Sequence, residues 1–104
     1  MENKKSVYIA GPITGVERYW EAFEKAEDEL IALGFIPISP SRLPEGLTYE
    51  QYARISLATI DAVDAVLFLP GWDRSKGARL ERDYCSYTGK VATADITILK
   101  EVLG

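Results

Sequence analysis

Residues 69–81 read LPGWDRSKGARLE. An apolar run ends, a short loop follows, and a helical pattern begins with a carboxylate, Glu81, about one turn inside it. Helical spacing sets Glu81 near Ala78, Leu80, Tyr84 and Cys85, close to an apolar face. A carboxylate kept ionised there by the helix macrodipole can act as a nucleophile. The plainer alternative is a surface glutamate paired with Lys76 or Arg82. Ahead of it, Ser75 offers a hydroxyl and an amide to an anion, and Gly77 lets a ligand approach the backbone. Arg74, Lys76 and Arg79 raise the local potential, although a solvated basic loop has the same composition. Trp72 either stacks on a flat ring or covers a core edge. A second glycine loop, GPITG at 11–15, supplies Gly11, Pro12, Ile13 and Thr14. It is either a tight turn or an amide cradle at a helix N-terminus. It is neither G-x-G-x-x-G nor a P-loop. Tyr8 lies just before it, with a hydroxyl that either orients a carboxylate or satisfies a core edge.

Composition removes many alternatives. There is no histidine and one cysteine, Cys85, so Ser-His-Asp and Cys-His catalysis and an intramolecular disulfide are excluded within one chain. A zinc site is not expected, and neither a metal nor a cofactor is called for. Acid–base chemistry falls to carboxylates, tyrosines, lysines or water. A net charge of −4 argues against binding a nucleic acid polymer. No apolar stretch approaches the ~20 residues that span a bilayer, and the MENKKSVYIAGP start reads as the beginning of the fold. The lone cysteine suits a reducing cytoplasm. A chain of 104 residues is expected to be a single domain over 1–104.

The elements that must position these residues follow from periodicity. Ser6–Ala10 reads as a strand. From Val16 the apolar positions Tyr19, Trp20, Phe23, Ala26, Leu30 and Ile31 mark an amphipathic helix stopped by Gly34. Its charges Glu21, Glu24, Lys25, Glu27, Asp28 and Glu29 form a solvated face. Phe35–Ser39 is a second strand, placed at a sheet edge because Pro37 has no N–H to donate. Thr48 and Gln51 form a capping box opening a helix to about Ile60, with Tyr52, Ile55, Thr59 and Val63 on one face. Asp64–Leu69 is a central strand covered on both faces, and Asp64 is expected to have a structural role, such as capping the preceding helix. A third helix runs from about Lys76 to Thr88, stopped by Gly89, with Cys85 in the core. Val91–Ile98 is a last strand, or a strand plus a turn, and the tail KEVLG carries no signal. The alternation predicts an α/β fold, a parallel sheet of four to five strands with flanking helices. Ligands in such folds sit outside the carboxyl ends of the strands, where both glycine loops lie.

Together, VYIAGPITG and DAVLFLPGWDRSKGARLE resemble the nucleoside 2-deoxyribosyltransferase-like proteins, most closely the small phage and bacterial DUF4406 group. The resemblance runs from Ser6 to about Val91. It implies a three-layer flavodoxin-like or Rossmann-like fold and cleavage of the N-glycosidic bond of 2′-deoxynucleosides or their 5′-monophosphates. The reaction would pass through a covalent glutamyl–deoxyribosyl intermediate, as in retaining glycosidases. By position, the nucleophile falls on Glu81 and the tyrosine that orients it on Tyr8, and Gly11 begins the loop under the sugar. Ser75, six residues before Glu81, falls where the monophosphate hydrolases hold phosphate. Thr14 stands where phosphate-handling relatives can have arginine. Ser56, eight residues before Asp64, stands where the family often has an aspartate that handles the leaving base. Serine is no general acid near neutral pH. Either base protonation is managed another way, with Asp61 one turn too far along the helix, or the protein is a non-catalytic nucleotide-binding module. The implied partner is a small nucleoside or nucleotide. Homodimers or larger homo-oligomers are common in the family, and Tyr49, Tyr52 and Tyr87 are candidate interface aromatics.

Overall fold

The computed structural model describes residues 3–104. In chain order the elements are β1 (Ser6–Ala10), α1 (Tyr19–Ala32), β2 (Ile36–Ile38), α2 (Tyr49–Ala62), β3 (Ala65–Phe68), α3 (Lys76–Thr88), β4 (Val91–Thr93) and α4 (Ile96–Leu103). Short 3₁₀ turns at Pro40–Arg42 and Trp72–Arg74 precede α2 and α3. The four strands are all parallel in the order β2-β1-β3-β4. Among the described residues this is the first four strands of the flavodoxin-like order, and its switch point lies between β1 and β3. β2 is an edge strand and accommodates Pro37, as its missing N–H requires.

Side-chain parity along the two central strands builds the core on both faces. Val7, Ile9, Ala65, Leu67 and Leu69 meet Phe23, Leu30 and Leu99 on one side. Tyr8, Ala10, Val66 and Phe68 meet Ile60, Val63 and Cys85 on the other. The period of two in strands therefore decides that Tyr8 points toward α2 and α3.

Several expectations change. α1 starts at Tyr19, not Val16, because Val16 N–H closes a turn on the Ile13 carbonyl and Arg18 adopts a left-handed φ of 55°. α2 has its capping box, but it buries Ser56 and Ile60, while Ile55 stays 38% exposed. Asp64 does not cap α2. Its Oδ2 accepts from the Ser6 amide at 2.8 Å, tying the start of β3 to that of β1 and holding the carboxyl below its usual range. Glu27 is not solvated: it is 8% exposed and receives Arg42 Nε and Nη2 at 3.2 and 3.0 Å. The expected last strand is only Val91–Thr93, and the tail is helical. Asp95 caps α4 by accepting from Thr97 N–H, and Leu99 is wholly buried. Among the described residues no helix is long and apolar enough to cross a membrane.

Candidate active site

A cavity of about 350 Å³ opens across the carboxyl ends of β2, β1 and β3. Tyr8 and Glu81 both line it. The Tyr8 hydroxyl donates to Glu81 Oε2 at 2.7 Å, and both side chains are buried, at 3% and 7% exposed. Two local rules produce this contact. β1 parity turns Tyr8 toward α3. On α3, residues Ala78, Glu81 and Cys85 are the buried ones, a stripe with spacings of three and four. Glu81 thus occupies a core position of its helix, and the surface-pair alternative is excluded by its burial.

Burial works against the expected ionised state. Desolvation pushes the Glu81 carboxyl up to about 7, although the Tyr8 hydroxyl pulls it partly back. The macrodipole does not keep it an ordinary carboxylate. The Tyr8 phenol is raised far above its usual range, by burial first and by the neighbouring Glu81 charge second. It therefore remains a proton donor across the accessible pH range. Ser56 is buried beside the pair, and its hydroxyl donates to the Ala53 carbonyl at 3.0 Å. Asp61 lies elsewhere, accepting from Tyr84 Oη at 2.6 Å.

The α3 start is built as a ligand-ready terminus. Ser75 is its N-cap, with Oγ accepting from Ala78 N–H at 3.3 Å. The Ser75 amide is already used by the Trp72 carbonyl, so the free donors are instead the amides of Lys76 and Gly77 in the first turn. A side chain at Gly77 would meet only Tyr49 Oη, at 4.0 Å, so its absence keeps the cavity open. Gly11 has a different constraint: a Cβ there would lie 3.0 Å from Leu69 Cβ, so glycine lets the loop after β1 cross the end of β3. Ile13 and Thr14 line the cavity as well. The GPITG amides are not at a helix N-terminus, because α1 starts four residues after Gly15.

Two expected residues lie outside the cavity lining. The Trp72 ring packs edge-on against Phe68, 5.4 Å between centroids, and faces a shallow groove behind α3 with Arg79 and Arg82. Pro12 packs against the backbone at Gly71. Of the three candidate interface tyrosines, Tyr49 and Tyr52 line the cavity and Tyr87 is 90% exposed. Sequence reasoning missed the wall formed by Pro40, Leu43, Pro44 and Glu45. Its one legible signal was the density of proline and glycine in PSRLPEGLT at a strand's carboxyl end.

The sequence matches the family described as "Domain of unknown function (DUF4406)" over residues 5–94. The chain belongs to this family. No curated protein matches it. Among solved structures, it is similar to the "2-desoxiribosyltransferase from Leishmania mexicana", with a TM-score of 0.67 and 19% identity. That match covers 85% of this chain and 61% of the other. The likeness establishes the four-stranded parallel α/β architecture as the deoxyribosyltransferase fold. In that setting Tyr8, Glu81 and the α3 N-terminus all stand at the switch point, where such folds place ligands.

Proposed function

We propose that this DUF4406 protein is an N-glycosidase of the 2-deoxyribosyltransferase type, acting on 2′-deoxynucleoside 5′-monophosphates. The observation that carries the reading is the buried Tyr8–Glu81 hydrogen bond of 2.7 Å in the cavity. Tyr8 engages one carboxylate oxygen and leaves the other free to attack C1′. As the Glu81–C1′ bond forms, the C1′–N bond breaks and its electron pair departs on the base nitrogen, which takes a proton from solvent. Water then adds at C1′ and gives up a proton to solvent as the ester bond breaks and Glu81 leaves as carboxylate. The phosphate end of the substrate suits the Lys76 and Gly77 amides and the Ser75 hydroxyl at the positive end of α3. The basic loop adds local attraction within a chain of net charge −4.

Chromatography of deoxynucleotides incubated with the protein tests the reading. Free base should appear, and Glu81→Ala should slow its release by at least ~10³-fold, as expected for loss of a nucleophile. Release by Glu81→Ala at the parent rate defeats it. Ser56 supports a second reading, nucleotide binding without turnover, because its hydroxyl is committed to Ala53 and no carboxylate stands there. Calorimetric binding of intact nucleotide without base release would favour that module.

A further inference from the structure

Among the described residues two carboxylates line the cavity, Glu81 and Glu45, and the mechanism uses only the first. We propose that Glu45 reads the base of the substrate and that its chemistry selects guanine; this inference takes the substrate's orientation from the glycosidase reading above.

The orientation follows from topology. β1 lies between β2 and β3, and neighbouring strands are ~4.8 Å apart, so the cavity spans roughly 10 Å from the β2 end to the β3 end. The phosphate takes the β3 end, at the N-terminus of α3. The sugar lies over Glu81 and Tyr8. The base is then directed to the β2 end, against Pro40, Leu43 and Tyr52. Those apolar and flat surfaces suit the faces of a heterocycle but cannot tell one base from another. The charged group in that wall is Glu45.

The loop that carries Glu45 is tied down just ahead of that residue and turns sharply just after it. Immediately before it, the Tyr52 hydroxyl donates to the Pro44 carbonyl at 2.6 Å. Immediately after it, Gly46 takes a φ of 96°, which favours glycine. Further back, Arg42 is clamped in bidentate fashion onto Glu27 of α1. An acid presented on a loop tied in this way has its backbone held at the cavity wall before any ligand arrives, which lowers the cost of specific recognition.

A carboxylate only accepts hydrogen bonds. It therefore needs a base edge with two adjacent donors. Guanine presents N1–H beside its 2-amino group, matching the two oxygens of Glu45. Adenine and cytosine place a ring-nitrogen acceptor beside the amino group, and thymine flanks its single N–H with two carbonyls. Each of those three would set a lone pair against the carboxylate or leave one of its oxygens unpaired. Glu45 takes no part in the bond change; it determines specificity.

The test compares kcat/KM for the 2′-deoxy 5′-monophosphates of guanine, hypoxanthine, adenine, cytosine and thymine, with calorimetric binding of the same five. The parent should favour guanine over hypoxanthine, which lacks the 2-amino group, by at least ~10-fold. In Glu45→Gln and Glu45→Ala the guanine-to-adenine ratio should collapse toward one. Glu45 is exposed, so both variants should melt with the parent. A parent without guanine preference, or variants that scale all bases by one factor, overturns the proposal. If no base is released but binding still favours guanine through Glu45, the glycosidase reading fails and this one stands. If no nucleotide binds, both fall.

Discussion

Glu81→Gln is the substitution in which the site and the fold make opposite demands. The carboxyl titrates near 4.5 when solvated and is raised to about 7 by burial in the fold. Each decade of proton affinity is worth ~1.4 kcal/mol, so keeping Glu81 ionised in the folded protein costs roughly 3 kcal/mol. The sign follows from which state holds the proton. Below the solvated value both states are protonated and no cost is felt. As pH rises from there, the unfolded chain releases its proton while the folded one retains it, so stability falls. Above about 7 the full cost is present. Glutamine has the same shape, accepts from Tyr8 through its carbonyl oxygen and carries no charge. Urea or thermal denaturation of parent and variant side by side cancels every other titrating group. The two should be equally stable near pH 4, and near pH 8 the variant should be the more stable by roughly 3 kcal/mol, or ~10 °C or more in Tm. A difference that does not change with pH, or one favouring the parent near pH 8, refutes the reasoning.

Tyr8→Phe removes a hydrogen bond to a charged group, worth ~1.5–3 kcal/mol. It should therefore move the rising limb of the kcat/KM pH profile upward by about one to two pH units, with partial recovery of rate in alkali. An unshifted limb would separate Tyr8 from the ionisation of Glu81. Leu99→Ala tests the tail: a wholly buried leucine on α4 should cost ~2–5 kcal/mol in urea denaturation, and a cost near zero would mean that α4 is not part of the core.

The central elements were legible because their signals are local. The AVLF run of β3, the Thr48–Gln51 capping box and the Gly89 stop of α3 each identify an element without reference to the rest of the chain. α4 was missed because Val91–Ile98 shares its apolar residues between a short strand and a helix. The deciding residue is the Asp95 N-cap, whose role is visible only once Ile96, Leu99 and Leu103 are read as one helical face. Glu27 was misplaced, and Trp72 left between two readings, for a different reason. Glu27 lies on the buried stripe of α1 with Phe23, Ala26 and Leu30, and Arg42, fifteen residues along the chain, partners its carboxylate there, a contact that local pattern does not reveal. Which side of a loop an aromatic ring takes depends on a partner such as Phe68, and local pattern does not specify it.

Glu81 shows how a local inconsistency can locate chemistry. Ala78, Glu81 and Cys85 obey helical core spacing, yet one of the three is a carboxylic acid. A stripe that only needed to pack would hold an apolar residue at that position, which would fill the space without the desolvation cost. The fold instead tolerates the cost and places opposite it a buried phenol whose own proton is held too tightly to be lost. A carboxyl poised near neutrality, with a permanent donor on one oxygen and an open cavity before it, is an arrangement that packing does not require and that suits the nucleophilic role proposed above.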